Sequence, residues 1–240
     1  MLKIKNLTAA SEAKELIKDI NLTVKVGEIH AIMGPKFSGK TALAHSISGH
    51  PSIIIEDGEI VFKRKKIHTA DIEDRFNAGI FTVFQYPPEY DGLTNWEIAN
   101  AVITNKDPKI KDLPVKYSTW VEVLGLDKTH GEKTVSGVTM TMSEAKRNEF
   151  LLMLLSNPDL IILDEIDQGL EENEIVLLGA LLRDLVNEHK KACIVITHSH
   201  LLLQILQPSH VHIMVDGTIK VSGGEELHKR IIEDGYPEFS

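Results

Sequence analysis

Cysteine is almost absent from this sequence, and that scarcity excludes several classes of protein at once. Cys193 is the single cysteine in 240 residues, so neither an internal disulfide nor an all-cysteine metal or cluster site is built from this chain alone. Its setting, the apolar run Ala192-Cys-Ile-Val-Ile196, reads as a small buried thiol. Long apolar stretches are missing too. The longest uninterrupted run, Phe150 to Leu155, falls far short of the ~20 residues a membrane span requires. The opening Met-Leu-Lys-Ile-Lys-Asn places charges where a secretory signal needs apolar residues. A soluble chain in a reducing compartment, with no membrane insertion, is expected. Basic charge is in deficit: 26 Lys and Arg against 35 Asp and Glu leave a net charge of −9. A surface of that sign repels phosphate backbones, so nucleic-acid binding is not expected. The one basic run, Lys63-Arg-Lys-Lys66, follows the alternating strand-like Glu59-Ile-Val-Phe62 and reads as a solvated strand end.

The length fits one domain at ~150 residues per domain, with room for an embedded subdomain. Short β-rich runs alternate with helical patterns. Glu28–Met33, Gly79–Gln85, Leu160–Leu163 and Ala192–Thr197 read as strands, Thr41–Ser48 and Glu174–His189 as helices. That alternation predicts an α/β domain with a parallel core sheet. Val211–Val215 and Thr218–Val221, joined by Asp216-Gly217, form a hairpin by their turn chemistry. Between Tyr86 and Asn157 the pattern turns helical, over Trp96–Ile103, Trp120–Leu124 and Glu144–Leu155. Residues 86–157 are therefore expected to be a helical insertion between core segments 1–85 and 158–240.

Gly34-Pro-Lys-Phe-Ser-Gly-Lys-Thr41 satisfies the G-x-x-x-x-G-K-[ST] phosphate loop, between a predicted strand and a predicted helix, which is the context that supports it. The loop Gly34, Pro35, Lys36, Phe37, Ser38 and Gly39 and the helix start through Ala42 surround the place for phosphate oxygens, with backbone N–H groups from every residue but the proline. Lys40 adds a point charge for the β- and γ-phosphates, and Thr41 offers its hydroxyl to Mg²⁺. Leu160-Ile-Ile-Leu-Asp-Glu165 is an apolar strand ending in two carboxylates. Asp164 is placed to hold the Mg²⁺ hydration shell and Glu165 to polarise the attacking water. With His198 ending a further strand, the set reads as a P-loop ATPase constellation.

These stretches together resemble the ATP-binding cassette (ABC) ATPases, and within them the SufC branch that serves iron–sulfur cluster assembly. Phe84-Gln-Tyr-Pro87 is similar to the Q-loop, with Gln85 as sensor of Mg²⁺ and γ-phosphate. Asp164-Glu-Ile-Asp-Gln-Gly-Leu170 is similar to the SufC Walker B and D-loop run, and Thr197-His198 to its histidine switch. Val211-His-Ile-Met-Val-Asp-Gly217, Ser222-Gly-Gly224 and Ile232-Glu-Asp-Gly-Tyr236 also resemble that branch more than a transporter ATPase. The resemblance implies a P-loop ABC fold: a RecA-like parallel-sheet core, an antiparallel β subdomain and a helical insertion. It further implies ATP and Mg²⁺ as ligands, an ATP-dependent head-to-tail homodimer, a SufB-type scaffold as partner, alone or with a SufD-type subunit, and a cytoplasmic location. It implies catalytic roles for Glu165, His198, Lys40 and Gln85, and Mg²⁺ contacts from Thr41, Gln85 and Asp164.

The sequence also departs from that family. Its Ser-Gly-Gly-Glu signature has two candidates here: Ser136-Gly137, which lies 28 residues before Asp164, and Thr141-Met-Ser-Glu144, which lies 23 before it. The second has the family's spacing and is taken as the signature, with Thr141 and Ser143 facing a partner's nucleotide. Thr-x-x-Glu is also a capping box, and both readings hold together. Lys36 and Phe37 stand where the family has Asn and Gly. A bulky residue there is tolerated if its φ is negative, and otherwise costs roughly 1–2 kcal/mol. Ala9–Glu15 lacks the aromatic on which many cassettes stack adenine, so loose base selectivity is expected. A partner is expected to dock near Tyr86–Trp96, although Tyr86, Tyr90 and Trp96 equally suit the insertion's own core. The pairs His198/His200 and His210/His212 would each share a strand face. No cysteine or carboxylate completes a familiar metal set with them, and a structural metal is not expected. Two other readings stay open: a nucleotide-gated subunit that has largely lost hydrolysis, and a transporter ATPase.

Overall fold

The computed structural model describes residues 1–12 and 14–234; the end of the Ile232–Tyr236 stretch and the tail beyond it lie outside the described residues. In chain order the strands are β1 (Leu2–Ser11), β2 (Lys14–Val24), β3 (Ile29–Met33), β4 (Ile54–Phe62), β5 (Lys65–Lys66), β6 (Ile80–Val83), β7 (Tyr90–Thr94), β8 (Thr134–Val135), β9 (Leu160–Asp164), β10 (Ala192–Ile196), β11 (His210–Val215) and β12 (Thr218–Gly223). The α-helices are α1 (Lys40–Ser48), α2 (Ile72–Ala78), α3 (Asn95–Lys106), α4 (Leu113–Val123), α5 (Met142–Ser156), α6 (Glu172–His189), α7 (His200–Leu206) and α8 (Glu225–Asp234).

A six-stranded sheet in the order β12-β11-β3-β10-β9-β6 forms the centre. Its neighbours run parallel except for the β11–β12 hairpin. Strands β3, β9 and β10 are buried at every residue, which is why they read as unbroken apolar runs. Alternate residues feed two cores. Ala31, Met33, Leu163 and Val195 face one core with Phe150 of α5, Leu182 of α6 and Leu203 of α7. Ile32, Ile162 and Ile194 face the other with Leu43 and Ile47 of α1 and with Leu2, Ile17 and Ile60. Those last three come from an antiparallel sheet ordered β2-β1-β4-β5. Cys193 is fully buried in the first core, and burial pushes its thiol up to about 12, so it is an inert packing residue.

The antiparallel sheet is the β subdomain that the resemblance implies, but no local pattern marks its long strands β1 and β2, nor the short helices α2 and α7. Left-handed Asn6 and Asp19 sit where the β1–β2 and β1–β4 registers shift. The strands' polarity alternation therefore breaks mid-way. The basic run does turn: Lys63 and Arg64 have positive φ, and Lys63 pairs with Asp159.

Helix α3 starts at a capping box of Thr94 and Glu97, α5 at one of Thr141 and Glu144. Each satisfies two backbone donors that the first helical turn leaves over. Ala99 and Ile103 of α3, Tyr117 and Val121 of α4 and Phe150 of α5 pack together. Trp96 stands edge-on to Tyr117 with ring centroids 5.1 Å apart. No helix among the described residues is long and apolar enough to cross a membrane.

Candidate nucleotide site

The parallel topology brings the carboxyl ends of β3, β6, β9 and β10 to one edge of the sheet, where ligands of open α/β sheets bind. At the end of β3 the chain turns through Gly34 to Gly39. A Cβ at Gly34 would strike the Met214 carbonyl, and one at Gly39 (φ 97) would lie 2.6 Å from the Leu16 carbonyl oxygen. Both positions therefore require glycine. Gly39 caps α1 without a side-chain hydrogen bond, and the first turn of α1 carries no acidic residue. The helix's leading N–H groups and its positive dipole end thus face the cleft without a protein acceptor among its own caps.

Lys40 is buried. Its ammonium donates to the carbonyls of Gly34 at 3.0 Å and Pro35 at 2.7 Å and to Ser38 Oγ at 3.4 Å. Burial lowers its pKa, and Glu165 and Asp164 oppose that shift. Thr41 Oγ1 donates to Asp164 Oδ1 at 3.3 Å. The other Asp164 oxygen is buried with no partner, and burial raises this carboxyl to about 6. An orphaned carboxylate oxygen beside a threonine hydroxyl is a donor set that suits Mg²⁺.

Glu165 follows β9 in the left-handed region at φ 48, held by its N–H to the Ile196 carbonyl at 2.9 Å. Its carboxylate gathers the switch residues. Gln85 Nε2 donates to Oε2 at 2.8 Å, Gln168 Nε2 donates to the same oxygen, and His198 Nε2 lies 3.8 Å from Oε1. Burial, then Lys40, lowers the His198 pKa while Glu165 raises it. Next to them Thr197 Oγ1 donates to Asp167 Oδ1 at 2.6 Å. Lys36, Phe37, Lys40, Thr41, Gln85 and Glu165 line one cleft of about 920 Å³, ample for a nucleotide by the usual range of ligand pockets. Ser11 and Glu15 also line it, and the 9–15 stretch carries no aromatic ring.

Phe37 adopts the costly conformation, φ 65, with its side chain wholly exposed. Thr141 and Ser143 do not line this cleft. Thr141 caps α5, and Ser143 Oγ donates to Glu174 Oε1 at 2.7 Å. Lys146 is a further residue of the site, with no signature in the sequence. It is almost fully buried, and its ammonium donates to the carbonyl of Glu165 at 3.1 Å and of Phe84 at 3.4 Å. It thereby ties the ends of β9 and β6, and nothing in its local sequence distinguishes it from a solvated helix lysine.

The sheet order, the phosphate loop and the paired carboxylates at its edge define a P-loop nucleotide-binding domain. The family described as ABC transporter matches residues 17–168, and the chain belongs to this ATP-binding cassette family. It is 38% identical over 242 residues to the probable ATP-dependent transporter ycf16 of Cyanophora paradoxa, spanning 98% of this chain and 93% of that one. It is 36% identical over 243 residues to the probable ATP-dependent transporter slr0075 of Synechocystis, 98% and 94% covered. Vegetative protein 296 of Bacillus subtilis is 33% identical over 240 residues, 98% and 91% covered. In fold it is similar to the ATP-binding cassette MJ0796, solved as a dimer bound to ADP and Pi, with a TM-score of 0.82 at 21% identity over 93% of this chain and 98% of that one.

Proposed function

We propose that this chain is the ATP-hydrolysing subunit of an iron–sulfur cluster assembly machine, driving conformational change in a SufB-type scaffold, alone or with a SufD-type subunit. The observation that carries the catalytic part is the convergence of Gln85, His198 and Gln168 on the Glu165 carboxylate, beside a phosphate loop whose lysine is held over it. When ATP enters, phosphate oxygens replace the loop carbonyls as partners of Lys40 and occupy the N–H groups of α1. Thr41, Asp164 and Gln85 would hold Mg²⁺, which supplies charge neutralisation on the β- and γ-phosphates. Glu165, released from the Gln85 amide, takes a proton from the water whose oxygen attacks the γ-phosphorus, and ADP leaves. His198 donates toward the transferred phosphoryl group. Thr141 and Ser143, which do not line the monomer's own cleft, serve a second copy's nucleotide in a head-to-tail pair.

The scaffold reading is supported by the SufC-like stretches and by a mainly apolar cavity of about 610 Å³ beside the Q-loop, lined by Phe81, Pro87, Pro88, Tyr90, Ile98 and Glu149. Trp96 packs on Tyr117, whereas Tyr86 is 70% and Tyr90 41% exposed, and these two rings are available to a partner. A transporter subunit is the second reading, favoured by the names of ycf16 and slr0075. Purification of the chain from its own cells separates the two: a SufB-type scaffold that co-purifies and changes phosphate release supports the first, an integral membrane protein the second.

A further inference from the structure

Away from the cleft, at the opposite end of β3, the fold brings the Glu28/His30 pair against the His210/His212 pair, with His30 and His212 182 residues apart in sequence. His30 of β3 pairs in register with His210 of β11. His212, two residues on, projects to the same face, as does Glu28 just ahead of β3. His30 and His212 are buried, His210 and Glu28 half-buried. The rings of His30 and His210 stack with centroids 4.3 Å apart. His30 Nε2 lies 3.0 Å from Glu28 Oε2, His30 Nδ1 lies 2.9 Å from His212 Nε2, and His212 Nδ1 lies 2.7 Å from Ser222 Oγ.

We propose that Glu28, His30 and His210 form a two-histidine, one-carboxylate site for a divalent first-row transition ion, with His212 and Ser222 as its supporting relay. One ligand atom from each of the three lies within 4.8 Å of the others. Around an ion with bonds of roughly 2.0–2.2 Å, ligand atoms stand roughly 3.4 Å apart, so the Glu28–His30 pair is near that spacing, while the half-buried His210 ring, stacked on His30 without the ion, must swing out of the stack to aim its nitrogen at the ion. His210 Nδ1 lies 3.0 Å from Ser209 Oγ, which leaves Nε2 as its ligating atom. The hydrogen-bonded chain Glu28–His30–His212–Ser222 is complete without the third imidazole, which stacks on His30 and brings a further ring nitrogen to the Glu28–His30 pair.

The relay also solves the proton problem. Without metal, Ser222 donates to His212, His212 to His30, and His30 Nε2–H to Glu28. With metal, His30 donates through Nδ1 to His212, which donates through Nδ1 to Ser222, and His30 Nε2 turns its lone pair to the ion. One proton leaves His30 Nε2 and one enters at Ser222, so the protein's charge is unchanged. A ligating histidine whose other N–H is fixed in this way is the usual support of a metal site. Glu28 also accepts from the Lys25 N–H at 2.7 Å, which holds the carboxylate in place. Its second oxygen faces the exposed Lys25 ammonium at 3.5 Å, a partner that an ion displaces into solvent. Nitrogen and carboxylate ligands at a half-open rim suit zinc(II), with water as the fourth ligand. The ion would staple β11 to β3, the strand whose other end becomes the phosphate loop. None of this depends on the proposed ATPase.

The test uses the tag-free full chain, stripped with chelator and titrated with zinc(II) by calorimetry and with cobalt(II) by visible absorption. One zinc per chain is expected, with a rise in melting temperature. His210→Ala at the rim and the isosteric Glu28→Gln should each weaken binding by at least about 100-fold, and Ser222→Ala by about tenfold. His189→Ala, on an exposed helix end, should leave it unchanged. Circular dichroism establishes that each variant is folded. Substoichiometric zinc, or stoichiometric zinc that folded His210→Ala and Glu28→Gln both retain at parental affinity, overturns the site.

Discussion

Replacing Phe37 with glycine should make the nucleotide-free protein more stable, which is unusual for a change that deletes an aromatic ring. Phe37 lies at φ 65 with its ring fully in solvent, so truncation forfeits no buried area. Relief of the left-handed conformation is worth about 1–2 kcal/mol, and the greater unfolded-state freedom of glycine takes back about 0.5–1 kcal/mol. The net gain spans about 0–1.5 kcal/mol and centres on ~0.75 kcal/mol, a rise of about 1.5–3 °C in Tm for a domain of this size. Phe37→Ala removes the same ring but keeps the Cβ that causes the strain, so its Tm should stay within about 1 °C of the parent. Scanning calorimetry on the three proteins without nucleotide reads both shifts. A lower Tm for Phe37→Gly, or an equal gain for Phe37→Ala, would refute the strain argument.

Burial raises Glu149 to about 8, and one of its oxygens has no partner. The folded state therefore holds a proton that the unfolded chain has released, and it loses stability as pH rises from about 5 through 8. The Tm of Glu149→Gln minus that of the parent should grow across that window; a constant difference would contradict the assignment. Met142→Gly with Ser143→Gly should raise ATP-dependent dimerisation and phosphate release, while the lost Ser143–Glu174 bond and two glycines at a helix start lower Tm. Unchanged or lower activity would redirect attention to Ser136-Gly137. Without nucleotide at micromolar concentration the chain should be monomeric by light scattering, because the pairing state is favoured only by the ligand that binds it better; a stable dimer would contradict this.

What could be read from the sequence followed the strength of local signals. The strand–loop–helix unit around Gly34–Thr41, the apolar strand ending in Asp164-Glu165 and the Asp216-Gly217 hairpin each carry their signature within about ten residues. Strands β1 and β2 do not, because left-handed Asn6 and Asp19 interrupt the alternation that would have revealed them. Helix α7 hides its period in the run Leu201-Leu-Leu203, which is apolar on consecutive positions. Lys146 looks like any charged helix residue until tertiary packing places it under Glu165 and Phe84. The histidine cluster is least legible of all: His30 and His210 are neighbours only because β11 joins the sheet beside β3. At Phe37 the sequence posed the alternative of strain or a negative φ, and only the backbone decides it.

The most direct test of the account is single-turnover phosphate release by the parent and by Glu165→Gln, with ATP binding measured on the same samples. The glutamine keeps an acceptor oxygen toward the water and the hydrogen-bonding environment of Gln85, but it accepts no proton. Binding should be retained while release falls by about a hundredfold, the scale of one general base. Release at the parental rate by a variant that still binds ATP would show that Glu165 is not the base and that the proposed catalytic arrangement is wrong.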